Sequence, residues 1–236
     1  MVLKMRVKLL RYTADPELLC GAAALTSSKS GYPSEMLEDL DLEKARQIVK
    51  RVTGYGHMSV IEHASFTFSI EDVSRALTHQ LVRHRIASYT QQSQRYVQYN
   101  TLKSYVVPPS IDANPEAKKL FDETLQHISK AYNKLLEMGI PKEDARYVLP
   151  NAAKTNIVVT MNARELRHFF NLRCCMRSQW ELREVAIEML RQVKRVAPSL
   201  FENAGPTCVE LGYCPEGKLK PAECNIEEIK KQFKNL

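Results

Sequence analysis

The sequence predicts an α+β fold: one domain with a small, mostly antiparallel sheet of about four strands, flanked by long helices. Three observations carry that expectation. Four stretches show two-residue alternation or β-branched enrichment, several others repeat apolar residues at helical spacing, and their order lacks the regular rhythm of a parallel βαβ sheet. No repeat, low-complexity tract or composition break marks a linker in the 236 residues, so 1–200 read as one domain and the Gly-, Pro- and Lys-rich 201–236 as a peripheral tail.

Taken in order, Met5–Tyr12 sets Val7 and Leu9 against Arg6, Lys8 and Leu10, as a strand does. Asp15 and Pro16 open a helix that the Ala-rich run carries to about Ser27. Leu42, Ala45, Ile48, Val49 and Val52 then share one helical face, and Gly54 ends it. Past a Gly-flanked loop, Ala64, Phe66, Phe68 and Ile70 alternate with Ser65, Thr67 and Ser69 as a strand. From Asp72 a helix would turn Val73, Ala76, Leu77 and Leu81 inward, with Gln80, Arg83 and His84 along its flank. Arg83–Ser88 leaves its end as a loop, and Ser93–Tyr99 alternates like an edge strand.

After Pro108 and Pro109, Asn114 and Pro115 start a long helix with Leu120, Phe121, Leu125, Ile128, Tyr132 and Leu135 as its stripe and Gly139 as its stop. A short helix over 141–149, ended by Pro150, carries Arg146, and Thr155–Met161 reads as a buried strand. Asn162 followed by Glu165 forms a capping-box pattern for the next helix. Ser178 and Glu181 open the last long one, with Trp180, Val185, Ala186, Met189, Val193 and Val196 inward.

Composition is that of a globular protein, with 44% hydrophobic and 26% charged residues. A formal charge of +7 and a pI near 9.0 favour anionic partners without choosing among them. No apolar run approaches the roughly 20 residues of a membrane span, and no signal-peptide pattern opens the chain, so a cytoplasmic protein is expected. The six cysteines read as reduced thiols. Cys208, Cys214 and Cys224 lack a CxxC pair and a fourth ligand at zinc spacing, so no metal site is assigned to them.

The chemistry concentrates in RHRIASYTQQSQRY, Arg83–Tyr96. A solvated face normally interleaves acids with bases, yet the first acid after Asp72 is Asp112. Arg forks, hydroxyls and a switchable His suit a phosphate-bearing ligand. The segment GYGHMSVIEH lacks the third glycine and preceding strand of a dinucleotide fingerprint, and its His57, Glu62 and His63 lack the spacing of a zinc pair. His63 reads as a hydrogen-bonded histidine beside the core, while His57 is open between loop and function. In NARELRHFFNLRCC, at about 100° per residue, Arg164, His168 and Asn171 share one face and Leu166, Phe169, Phe170 and Arg173 the other. Arg173 on an apolar face either meets a buried acid or waits for a ligand.

The run Arg83-His84-Arg85, then Ser88, Ser93 and Arg95 in register, resembles the signature of the flavin-dependent thymidylate synthases, with Thr90 where Asn is usual. GHMSVIEHASFTF, ARYVLP and VTMNARELRHFFNLR followed by QW resemble further segments of that family, in its order, over roughly 54–180. The resemblance implies methylation of dUMP to dTMP with 5,10-methylenetetrahydrofolate as carbon donor, FAD as redox carrier and NADPH as reductant, releasing tetrahydrofolate. It also implies a homotetramer whose active sites are shared between subunits.

Carried over by position, Ser59, Glu62, Arg83, His84, Arg85, Gln91, Asn162, Arg164 and His168 match flavin contacts. Gln80, Arg83, Gln91, Gln92, Ser93, Gln94, Arg95, Arg146 and Arg173 match the dUMP site, with Gln91 standing where many members have Glu. Arg173 matches the arginine that polarises the uracil, so Cys174 and Cys175 need not act as nucleophiles, and His57 is assigned positioning. Two other classes compete. A nucleic-acid-binding module would use the Arg runs with Tyr89, Tyr96 and Tyr99, but no RNP, KH or helix-turn-helix pattern accompanies them. A metal-dependent hydrolase on His57, Glu62 and His63 fits less well still.

Overall fold

The computed structural model describes residues 5–98 and 104–236. In chain order the first elements are β1 (Arg6–Tyr12), α1 (Pro16–Thr26), α2 (Pro33–Glu38), α3 (Leu42–Gly54), a 3-10 turn (Met58–His63), β2 (Ser65–Ser74), α4 (Arg75–Leu81) and β3 (Ala87–Gln91). Then come α5 (Pro109–Asp112), α6 (Pro115–Glu137), α7 (Lys142–Ala145), β4 (Lys154–Asn162), α8 (Ala163–Arg173), α9 (Trp180–Val196), α10 (Thr207–Leu211) and α11 (Ile226–Lys234). Caps explain several starts. Asp41, Asn114 and Asn162 each accept a hydrogen bond from a first-turn amide of α3, α6 and α8.

The fold class is the expected α+β, with one open four-stranded antiparallel sheet in the order β1-β2-β4-β3. Phe66, Phe68 and Ile70 of β2 and Ile157, Val159 and Met161 of β4 are buried, and in β2 that burial on one face is why the sequence alternates so clearly. Thr67 and Thr160 bring their hydroxyls to 2.9 Å, fixing the β2–β4 register. At the β1 edge the Gln192 amide accepts from Leu9 N and donates to Val7 O, so a side chain completes the hydrogen bonding of an otherwise open strand.

The chain divides into two compact units. In the unit formed by 7–69, 83–89 and 158–236, α1 packs on α3 at Gly21, where an added Cβ would lie 2.8 Å from that of Ala45. Its aromatic core sets Phe66 and Phe170 edge-on against Phe201, with ring centroids 5.4 and 6.0 Å away. Residues 201–236, distinct in composition, carry their own buried side chains there, among them Cys208, Ile229 and Phe233. The other unit, formed by the described residues of 1–6, 70–82 and 90–157, is built on α6, whose Leu125, Ser129 and Tyr132 are buried.

Three sequence expectations shift. The helix expected from Asp72 begins at Arg75, because β2 runs on to Ser74 and the Ser74 hydroxyl caps Leu77 N at 3.0 Å. Asp72 itself adopts φ 59°, with its amide bound to Asn156 Oδ1. The strand expected over Ser93–Tyr99 is, across its described residues, a turn in which Ser93 accepts from Arg95 N and Val97 N; Tyr99 lies outside the described residues. The strand is instead β3, whose alternation of half-buried and exposed polar residues has no hydrophobic period. Finally, α9 is capped by Gln179 rather than by Ser178.

Candidate active site

The first cluster is organised by α8. The Asn162 side chain accepts from Glu165 N at 2.9 Å, which starts the helix at the end of β4. The resulting register buries Leu166, Phe169 and Phe170, leaves Arg164 and His168 exposed, and half-buries Arg173. Of its two anticipated situations, a buried acid or a place awaiting a ligand, Arg173 has no carboxylate partner and lines an open cavity. Its Nε–H donates to His84 Nε2 at 3.0 Å.

His84 comes from the segment between α4 and β3, where exposed Arg83 and Arg85 bracket a nearly covered imidazole. Phe169 stacks edge-on against it at 4.9 Å, and Tyr89 donates to its backbone carbonyl at 2.8 Å. Burial, then the charges of Arg173 and His168, hold His84 down to about 4, so the ring is neutral near pH 7. Since Nε2 accepts from Arg173, the proton sits on Nδ1, which faces Glu165 Oε1 at 3.4 Å. Glu165, read from sequence only as half of a capping box, is buried, and burial raises its carboxyl.

This chain of Glu165, His84 and Arg173 forms one wall of a cavity of about 710 Å³, also lined by Glu62, Arg83, Arg85, Ile86, Asn162, Arg164 and His168. Arg164 pairs with Glu62 at 2.5 Å. Among the described residues, no carboxylate lies within ion-pair distance of Arg83, Arg85 or Arg173. The proximity of Arg83, after burial, lowers the Arg173 guanidinium. A wall of cations with no carboxylate paired to them is short of an anion. Of the flavin-type residues expected from sequence, Glu62, Arg83, His84, Arg85, Asn162, Arg164 and His168 converge here; exposed Ser59 and His57 do not line the cavity. His63, expected beside the core, is exposed.

The second cluster lies in the unit containing α6. Arg95 Nε binds Glu143 Oε2 at 2.7 Å, and Arg146 Nε donates to Glu143 O at 3.0 Å, so both phosphate candidates gather around one residue. Gln91 donates to the Thr78 and Thr155 hydroxyls at 2.9 and 3.3 Å, contacts that use the amide standing where Glu was expected. Gln92, Ser93 and Gln94 line a polar cavity of about 260 Å³ with Arg75 and Lys154, and half-buried Gln80 bonds back to Ala76 O at 3.4 Å. Glu143, Thr78 and Thr155 were not legible as site residues, because only tertiary contact connects them to the motif.

No helix among the described residues is long and apolar enough to cross a membrane. Residues 8–199 match the family described as thymidylate synthase complementing protein. The flavin-dependent thymidylate synthase of Geobacter sulfurreducens is 49% identical over 98% of this chain and 99% of its own length. Those of Clostridium tetani and Pyrococcus horikoshii are 49% and 47% identical, over 91% and 98% of this chain and 92% and 98% of theirs. Motif, fold and similarity along nearly the whole length agree, and the chain belongs to the flavin-dependent thymidylate synthase family.

Proposed function

We propose that this chain methylates dUMP to dTMP, taking the carbon from 5,10-methylenetetrahydrofolate and using FAD reduced by NADPH, with release of tetrahydrofolate. The observation that carries the reading is the cavity wall on which Arg83, Arg85 and Arg173 stand without a carboxylate partner. A dinucleotide's phosphates supply the missing charge, and a cavity of about 710 Å³ is of the size that cofactor sites occupy. Asn162, Arg164, His168, Glu62 and the Arg83–Arg85 run would hold the flavin, with Ser59 and Gln91 assigned beside them by family position. When bound, the flavin supplies the hydride.

Arg173 is assigned to the uracil. A guanidinium set against the pyrimidine carbonyl and N3 stabilises the negative charge that develops as C5 turns nucleophilic. His84 fixes that guanidinium in place, and because it is neutral it holds Arg173 without adding a second cation. An enzyme thiol is not required. Cys174 is buried, and burial pushes its thiol well above the ordinary range. Arg95 and Arg146 are assigned to the dUMP phosphate, with Gln80 and Gln91–Gln94 orienting the nucleoside, and His57 to positioning where folate enters. The active sites are shared between the subunits of a homotetramer.

The test is conversion of labelled dUMP by the purified chain. Product is expected only when flavin, methylenetetrahydrofolate and reductant are all present. Product formed equally without flavin, or none with every component supplied, would end this reading.

A further inference from the structure

We propose that Cys175, Cys208, Cys214 and Cys224 bind a thiolate-ligated metal centre, separate from the methylation chemistry. Three chain segments bring them together. Cys175 follows α8, Cys208 lies in α10 with Cys214 just beyond it, and Cys224 precedes α11, yet all four line one cavity of about 270 Å³. Sequence spacing had supplied three of these thiols and no fourth. Tertiary structure adds Cys175 from more than thirty positions upstream, whereas Cys20 and Cys174 do not line the cavity.

Two further features fit a bound metal. All four cysteines are free, so no disulfide uses them. The Ser178 hydroxyl, on the same lining, is buried without a hydrogen-bond partner among the described residues.

The spacing also bears on which centre. Among the described residues, no three His, Cys, Asp or Glu side chains already stand close enough to hold a bare ion. Binding therefore has either to draw the thiols inward onto a single ion or to fill the space between them with an iron–sulfur cluster held by four cysteines. In either case each thiol releases its proton to solvent as its sulfur bonds the metal. Leu172 and Arg173 line this cavity as well as the one assigned to flavin, so the centre would adjoin the redox site without being part of it.

The test is metal and acid-labile sulfide analysis of the full chain purified without oxygen, repeated after incubation with zinc alone and with ferrous and ferric iron in equal parts plus sulfide. Iron and sulfide in equal amounts, about four each per chain, identify a cluster, and about one zinc per chain identifies a single ion. Cys214→Ser, at a half-buried position outside the proposed catalytic machinery, should lose at least nine-tenths of the metal while keeping its flavin absorbance. Should that variant not fold, half-buried Cys175→Ser serves the same purpose. Binding below about a tenth of a metal per chain under all three conditions, or full metal content in the serine variant, would overturn the proposal.

Discussion

Arg173 and Arg95 are both assigned to the same nucleotide, yet one rests on a buried neutral imidazole and the other on an exposed carboxylate. The Arg173 arrangement is preorganised. His84 is enclosed by Phe169, Tyr89 and Glu165 and leaves the guanidinium's charge unspent. The Arg95 arrangement is a surface ion pair, and an incoming phosphate must compete with Glu143 for it. A group that must act on the transition state is held rigidly, whereas one that only captures substrate can exchange partners.

The sharpest way to break this comparison is Arg173→Ala. It should lower turnover by two to three orders of magnitude, about the loss seen when a charge-stabilising donor is removed, while flavin remains bound. Unchanged turnover would remove the uracil role. Next in size is His84→Gln, read by thermal unfolding across pH. A group whose folded pKa is depressed to about 4 binds its proton more readily when unfolded, so stability is fully present above about pH 6.5 and is lost as pH falls toward 4. The amplitude is on the order of 3 kcal/mol for His84 alone, and the raised carboxyl of Glu165 opposes part of it. The variant should flatten that dependence and lower kcat by about tenfold with little change in KM for dUMP. An unaltered pH profile would mean that His84 does not titrate as described.

Arg164→Ala should weaken FAD by roughly tenfold, the value of one charge-assisted hydrogen bond after its existing pair with Glu62 is counted. Fluorescence titration of the flavin reads this directly, and an unchanged affinity would move the flavin away from α8. The smallest effect belongs to Glu143→Gln. Releasing Arg95 from an exposed pair worth at most about 1 kcal/mol should lower KM for dUMP a few-fold, with kcat unaffected. A raised KM would show that Glu143 aids the phosphate site rather than competing with it.

Legibility in the sequence followed the physics of each region. The β2 alternation, the β-branched run of β4 and the Asn162 cap were readable because burial on one face, strand packing and local capping each leave a mark in the sequence. β3 was not, since an edge strand of Ser, Tyr, Thr and Gln has no apolar period. The placement of Arg164 and His168 together followed from helical geometry, and so did the anomalous burial of Arg173. Its partner did not, because His84 lies 89 residues away and reaches Arg173 through tertiary folding alone. Glu165 looked like a capping residue because the local pattern was complete without its second role.

The most direct measurement is the visible spectrum of the purified protein, recorded with and without dUMP for the natural chain and for Arg173→Ala. Bound flavin in both proteins is predicted, with bands that shift on adding dUMP in the natural chain and shift far less in the variant. A colourless protein that takes up no added FAD, or an identical dUMP-induced shift in both, would contradict the account.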